Sequence, residues 1–338
     1  MSDIRLGLIG AGAVGALHAD ATTVTPGLRV TAVCDLDATT AHRVAGPLAA
    51  AVFTDHRALI ASGLVDAVVV NTPHALHTGI VTDAAAAGLH VLVEKPMATS
   101  TRDCTLMQNA CEAAGVLLFV GHIQHFLPPM AAAKAAVDAG AIGRILAVHD
   151  WRTTDYRPGS RPAWFFDRAV AGGGVFFNIG THCVDRLLWL TGSQAVAVTA
   201  TAATRGGLPV ETDVLARLEL ADGTACHIAV TSVLLPPRDE LTVIGERGTL
   251  LVARGLGARL HPDDGSAPVL LAAESEDDVP NAFRDQLTAF AAAVRGERPN
   301  AVTADYGRRV VQTVEAVYAA CATGQPQILP TPLEVPVG

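Results

Sequence analysis

Positive charge is scarce in this 338-residue chain: Lys and Arg number 24 against 33 Asp and Glu, a formal net charge of −9. A broad nucleic-acid or anionic-membrane footprint needs the opposite sign, so neither partner is expected. Long hydrophobic runs are missing as well. The strongest apolar stretches, such as residues 115–120, fall far short of the roughly 18–20 residues a spanning helix needs. Only 17% of residues are charged while half are hydrophobic, which excludes disorder and leaves ample material for a core. Six cysteines (34, 104, 111, 183, 226 and 321) show no C-x-x-C and no regular spacing. A disulfide framework is therefore not expected, and reduced thiols in a cytoplasm are. There is no internal repeat and no low-complexity linker. At about 100–200 residues per domain, the length means two domains or one large one. Near the N-terminus, Arg5 followed by an apolar run imitates a signal peptide. Asp3 and closely spaced glycines argue for a different origin of the same letters.

Over the first 120 residues short apolar runs alternate with alanine-rich stretches. Residues 4–9, 29–34, 67–70, 90–93 and 116–120 are rich in Val, Ile and Leu and read as buried parallel strands. Residues 12–23, 39–50, 76–87 and 101–114 fit crossover helices between them. That alternation indicates βαβ units in a doubly wound sheet. The rhythm stops near Gly121, which sets the expected domains at 1–121 and 122–338. In the second, a helix over 130–139 leads to a strand over 145–151, then a polar, aromatic loop over 152–166. Gly172, Gly173 and Gly174 precede an amphipathic helix over 178–190. Strands separated by turn signals at Gly206-Gly207, Asp222-Gly223 and residues 245–248 fill 196–252. They suggest a large, mainly antiparallel sheet, open on one face. Two late helices, 279–295 and 303–321, could pack back on the first domain. The expected class is α/β, a doubly wound parallel sheet followed by an α+β domain.

Gly10-Ala11-Gly12-Ala13-Val14-Gly15 is a G-x-G-x-x-G directly after the first strand and at the start of a helix. Its glycines allow a tight turn, close approach of a pyrophosphate, and close helix–strand packing. The pyrophosphate then sits on the positive end of the helix. Alone the pattern is weak, but Asp35 follows 20 residues after Gly15, at the end of the second strand. An acidic side chain there accepts hydrogen bonds from ribose hydroxyls and repels a 2′-phosphate. Cys34, Leu36 and Asp37 offer no cation beside it, so NAD is expected over NADP.

Two more motifs occupy strand ends: Asn71-Thr72-Pro73-x-x-x-His77 and Glu94-Lys95-Pro96. Arg161-Pro162-x-Trp164, the three glycines and Asn178-x-Gly180-x-His182-x-x-Asp185 follow in order. Together the set, across about residues 4–190, resembles the Gfo/Idh/MocA family, named for glucose–fructose oxidoreductase, inositol dehydrogenase and a rhizopine-catabolism protein. The resemblance implies a Rossmann domain and an α/β domain whose sheet face often forms oligomer contacts, here a homodimer or homotetramer. It implies oxidation or reduction of a secondary alcohol on a sugar, cyclitol or small polyol with NAD(H) or NADP(H). It assigns Gly10, Gly12, Ala13, Val14, Gly15, Asp35, Thr72, Pro73, His77, Glu94, Lys95 and Trp164 to the cofactor. Lys95 matches a lysine near nicotinamide and substrate, and His182 the histidine usually given proton transfer. Asn178 stands where many sugar and inositol dehydrogenases have aspartate, which puts a carboxylate-assisted proton relay in doubt.

The chemistry supports the same residues independently. Removing hydride from a secondary alcohol requires the hydroxyl proton to leave, and a base of near-neutral pKa such as His182 suits that. A lysine ammonium such as Lys95 stabilises the developing alkoxide. Asn178 can orient a partner but cannot take a proton. His122 and His125 either line the pocket or bridge the domains, and Tyr156 either lines the pocket as a substrate contact or packs. His74/His77, His122/His125 and His182-Cys183-x-Asp185 lack the partners of a metal site, so no metal is expected. Two alternatives stay open: a glycoside-cleaving enzyme that oxidises its sugar transiently with bound NAD, and a non-catalytic NAD-binding protein.

Overall fold

The computed structural model describes residues 3–232 and 237–330. Two compact units divide the chain: Met1–Leu127 with Ala169–Gly172 and Glu276–Val311, and Pro128–Arg168 with Gly173–Ser275 and Gln312–Gly338. The last eight residues of the expected second domain, and 233–236 within its strand region, lie outside the described residues.

In the first unit six parallel strands form one sheet: β1 (Ile4–Ile9), β2 (Leu28–Cys34), β3 (Ala51–Phe53), β4 (Ala67–Val70), β5 (His90–Glu94) and β6 (Leu118–Gly121). Their order is β3-β2-β1-β4-β5-β6. Helices α1 (Ala13–Thr22), α2 (Ala38–Ala45), α3 (His56–Ala61), α4 (His77–Ala86) and α5 (Thr101–Ala114) connect them. Val68, Val69, Val70, Val91, Leu92 and Val93 have no exposed surface. Helices on both faces require that, and each such side chain contributes roughly 1.5–3 kcal/mol of burial. Strand order reverses between β1 and β4, so the carboxyl edge there is a topological switch point where ligands bind. Helix α2 stops at Ala45 rather than near residue 50, because Pro47 supplies no N–H and the chain tightens into a 3-10 turn at Gly46–Leu48.

The second unit begins with α6 (Pro128–Asp138) and β7 (Ile145–Thr154); the short α7 (Arg168–Ala171) follows in the chain, its last three residues belonging to the first unit. The helix expected from residue 178 begins earlier, as a π turn at Phe176–Gly180, and continues as α8 (Thr181–Thr191). Next come β8 (Ala195–Ala203), β9 (Asp213–Leu220), β10 (Ala225–Ser232), β11 (Asp239–Gly245), β12 (Gly248–Ala253), β13 (Gly257–Pro262) and β14 (Val269–Ala272). Helices α9 (Asp278–Val294) and α10 (Ala304–Thr323) and the two-residue β15 (Gln327–Ile328) close the chain. The nine-stranded sheet runs β14-β13-β12-β11-β7-β10-β9-β8-β15. It is antiparallel throughout except where β10 lies parallel to β7. On β9, Val214, Ala216, Leu218 and Leu220 are buried while Leu215 on the opposite face is 56% exposed. This alternation marks a sheet covered on one side.

Helix α8 covers the inner face of this sheet, and a buried charge cluster fixes it there. Arg186 holds Asp150 of β7 through two bonds of 2.5 Å and Asp239 of β11 at 2.6 Å; Arg152 binds the other oxygen of Asp239 at 2.6 Å. Burial alone would raise the Asp239 carboxyl, but Arg186 and Arg152 outweigh it and bring the pKa down to about 2. Helix α9 belongs to the first unit, where it packs on α1 and sets Phe290 edge-on to Phe119. Among the described residues no helix is long and apolar enough to cross a membrane. The six thiols are free, and burial pushes Cys34 and Cys111 up to about 11 and Cys226 to about 12. Those three are far from activated thiolates.

Candidate active site

The glycine turn after β1 separates into two demands. A side chain at Gly15 would put Cβ 2.1 Å from the Gly10 carbonyl oxygen, and Gly10 has φ +95° with Asn71 backbone 2.7 Å from its own Cβ position. Those two glycines are required by the fold itself. Gly12 is different: a Cβ there meets nothing within 4 Å. It caps α1 without any side-chain hydrogen bond to the helix, so the first-turn N–H groups and the positive helix end face open space. A pyrophosphate fits that cradle. Among the described residues the buried Asn71 Oδ1 and Thr72 Oγ1 also have no hydrogen-bond partner, polar capacity at the same edge.

Asp35, just past β2, accepts from Ala11 N at 2.8 Å through one oxygen and from Asp37 N at 3.0 Å through the other. Each carboxylate oxygen keeps a lone pair for a ribose hydroxyl. Sequence neighbours gave Asp35 no cation, but Arg43 of α2 reaches the Ala11 carbonyl at 3.4 Å. Six residues beyond the Asp37 cap, then, a guanidinium stands by the loop that the linear sequence kept it away from.

A chain of contacts runs from this turn to Lys95. Asn71 Nδ2 donates to Gly10 O at 3.5 Å, and His77 Nε2 lies 2.9 Å from Thr72 O. His77 Nδ1 lies 3.1 Å and 3.2 Å from the Pro96 and Met97 carbonyl oxygens. The Lys95–Pro96 peptide is cis. Glu94 accepts from Lys95 N at 3.1 Å, and its other oxygen meets His18 Nε2 at 3.0 Å. His18 sits wholly buried on α1, the helix that the glycine turn opens, so the contacts close into a ring. Two of the residues expected at the cofactor take part in this ring. His77 is wholly buried with both ring nitrogens against backbone carbonyls, and Glu94 is turned inward to His18. Each holds the loops that carry Thr72, Pro73 and Lys95. His74, buried with Nδ1 donating to Ala171 O at 2.7 Å, is pushed well below the usual histidine range by burial, by His77 and by the nearby Lys95 charge. It is neutral.

In the second unit, Asn178 lies on the π turn, 6% exposed, and half-buried His182 on the first turn of α8. Trp164 stacks on Phe165 with centroids 3.7 Å apart. Of the two readings of Tyr156, the geometry favours packing: its hydroxyl donates to Phe165 O at 3.0 Å, the ring is 1% exposed under the Arg161 guanidinium, and burial pushes its pKa up. It anchors the loop. In the first unit His122, also 1% exposed, stacks on His125 and meets Tyr306 edge-on. Among the described residues no group of three His, Cys, Asp or Glu side chains could hold a metal ion. His18 and Arg43 escaped the sequence reading; the first could have been found from its place three residues after Gly15, on the inward face of α1.

A glycine turn on a helix N-terminus at the switch point, with an acidic residue closing the next strand, defines a dinucleotide-binding oxidoreductase. Residues 4–122 match the oxidoreductase family with an NAD-binding Rossmann fold, and residues 130–251 match the GFO/IDH/MocA C-terminal domain. The chain belongs to the GFO/IDH/MocA family, and its cofactor is NAD. It is 30% identical over 350 residues to an inositol 2-dehydrogenase of Rubrobacter xylanophilus, covering 98% of this chain and 95% of that one. It is 32% identical over 270 residues to a 1,5-anhydro-D-fructose reductase of Ensifer adhaerens, covering 77% and 79%. The crystal structure of GenD2 from gentamicin A biosynthesis, in complex with NAD, superposes with a TM-score of 0.87 at 27% identity, covering 98% and 97%.

Proposed function

We propose that this protein transfers hydride between NAD and a secondary alcohol or ketone of a sugar, cyclitol or related small polyol. The observation that carries the reading is the ring at the switch point, where the open cradle at Gly12 and the Lys95 loop are braced by the same helix. NAD, when bound, supplies the hydride acceptor. His182 takes the hydroxyl proton, the role imidazole most often fills in general acid–base catalysis. Lys95 stabilises the negative charge that develops on the alcohol oxygen. Asn178 orients the hydroxyl or the imidazole, since an amide accepts no proton at neutral pH.

The test follows absorbance at 340 nm with NAD⁺ and a polyol panel. His182→Ala and Lys95→Ala should lose turnover by a factor on the order of 10²–10⁴ while NAD⁺ affinity stays within a few-fold, because Gly10–Gly15 and Asp35 hold the dinucleotide. Near-wild-type turnover in His182→Ala removes it as the base. Glycoside cleavage without NADH accumulation would move the reading to transient oxidation. The protein works in the cytoplasm as a homodimer or homotetramer. The exposed face of the nine-stranded sheet, with Trp151 45% and Leu215 56% exposed beside the stacked pair His149–His227, supports that assembly. Light scattering that finds a monomer alone would refute it.

A further inference from the structure

The helix that carries Asn178 and His182 starts in an unusual way. The first N–H groups of a helix have no partner inside it and need one from elsewhere. Here two distant residues supply all of them over 174–177. Gly174 N donates to both carboxylate oxygens of Glu211 (2.9 and 3.0 Å) and Phe176 N to one of them at 3.1 Å. Val175 N donates to the Glu211 carbonyl at 3.0 Å, and Phe177 N to the Tyr318 hydroxyl oxygen at 3.0 Å. The Tyr318 hydroxyl in turn donates to Glu211 at 2.6 Å. Gly173 and Gly174 make room: a Cβ would lie 2.1 Å from the Tyr318 oxygen at the first and 2.2 Å from the Glu211 carbonyl at the second.

Glu211 is 8% exposed, and among the described residues no ion pair includes it. Burying a carboxylate without a cation is costly unless its hydrogen bonds are complete. A surface Ser or Asp at the cap would satisfy a helix end far more simply. What the buried pair adds is shape. The chain leaves this cap in a π turn, a form concentrated at functional sites, and Thr181 Oγ1 closes the turn onto Phe177 O at 2.5 Å.

We propose that Glu211 and Tyr318 are positioning residues of the reaction: the clamp they form on 174–177 sets the π turn of Asn178 and, through it, the imidazole of His182. Neither touches substrate in this scheme, which rests on His182 being the base. Tyr318→Phe is the cleanest probe, because it keeps the ring and removes only the hydroxyl that both accepts from Phe177 N and donates to Glu211. Glu211→Gln removes the charge at nearly the same volume, and Glu211→Asp keeps the charge one methylene back.

Two readouts separate positioning from ordinary stability. The first titrates His182 by NMR in histidine-labelled protein, assigned with His182→Gln, and needs no substrate. Tyr318→Phe should move the His182 titration by about half a pH unit, leave that of exposed His227 unchanged, and speed hydrogen exchange at the 174–178 amides. The second measures kcat and KM with NAD⁺ and myo-inositol from pH 5 to 10. Tyr318→Phe should lower kcat about tenfold, the weight of one lost hydrogen bond, shift the pH profile and leave the NAD⁺ constant within twofold. Glu211→Asp should recover part of what Glu211→Gln loses. A folded Tyr318→Phe with the wild-type His182 titration overturns the proposal, whatever its melting temperature. If His182→Gln turns over like the wild type, the base assignment falls instead, and the titration arm still decides the clamp. If myo-inositol is not oxidised, that arm decides alone.

Discussion

Gly12 and Gly15 look alike in the sequence, yet the structure gives their alanine variants opposite fates. At Gly15 a methyl group would sit 2.1 Å from the Gly10 carbonyl oxygen, over 1 Å inside ordinary contact, and a backbone oxygen cannot turn aside as a side chain can. Overpacking of this kind costs about 1–3 kcal/mol where neighbours can yield, and here they cannot without moving β1 against α1. Gly12 has φ −67°, which alanine adopts freely, and open space around its Cβ position. Gly12→Ala should leave the unliganded protein as stable as the wild type or more stable by about 0.4–1 kcal/mol, through the less flexible unfolded chain. The methyl group then occupies the space of the pyrophosphate. If NADH affinity falls about 100-fold, NADH at 100 times the wild-type Kd adds about 0.4 kcal/mol of stability in place of about 2.7 kcal/mol. Thermal denaturation with and without NADH measures both quantities in one series. Wild-type NADH stabilisation in Gly12→Ala would refute the cradle, and a normal melting temperature in Gly15→Ala would refute the contact argument.

Asp35→Ala should weaken NADH about tenfold and NADPH less, since it removes the acceptor of Ala11 N but also the charge that repels a 2′-phosphate, and leaves Arg43 nearby; calorimetric titration of both nucleotides checks it, and an unchanged ratio of the two refutes it. Arg186→Ala strands the buried Asp150 carboxylate and should destabilise by about 3–5 kcal/mol, read by urea denaturation. Asp239 titrates near 2 when folded, below its ordinary 3.8, so the unfolded chain takes up the proton first as pH falls. Its contribution of about 2 kcal/mol is complete above about pH 4 and disappears as pH falls through 2. Denaturation curves from pH 5 to 2 should show a loss in the wild type that Asp239→Asn lacks; parallel curves would contradict the assignment.

Strands β1 and β4 could be read to the residue because burial on both faces leaves a dense apolar run, unbroken in β4 and interrupted in β1 only by Arg5 and Gly7, with polar or glycine ends. Strand β3, three residues long, and the six-residue α3 carry too few positions for any period to show, and neither was expected. Parallel pairing of β10 with β7 was equally hidden, since the two are distant in sequence and each alone looks like its antiparallel neighbours. The site divides along the same line. Gly10 to Gly15, Asp35 and Lys95 are local motifs whose spacing states their chemistry. Glu211, Tyr318 and Arg43 acquire theirs from partners that only folding brings near: Glu211 and Gly174 stand 37 positions apart, Tyr318 and Phe177 141. Tyr156 shows the reverse case, a residue whose two readings the sequence left open and whose hydroxyl the fold engages at Phe165 O.

The double engagement of Asp35 bears on how this lineage could change its redox currency. The carboxylate that excludes a 2′-phosphate is also the acceptor that holds Ala11 N in the turn. A single substitution that admitted the phosphate would therefore loosen the loop that grips every dinucleotide, and the intermediate genotype would bind both forms poorly. Serine or threonine at position 35 is the natural escape, since a hydroxyl could still accept from Ala11 N without repelling an anion. Arg43, already at the Ala11 carbonyl, would then meet the added charge. An engineer seeking the phosphorylated cofactor should thus begin from a hydroxyl at 35 and keep Arg43, and should expect alanine scanning at 35 to mislead.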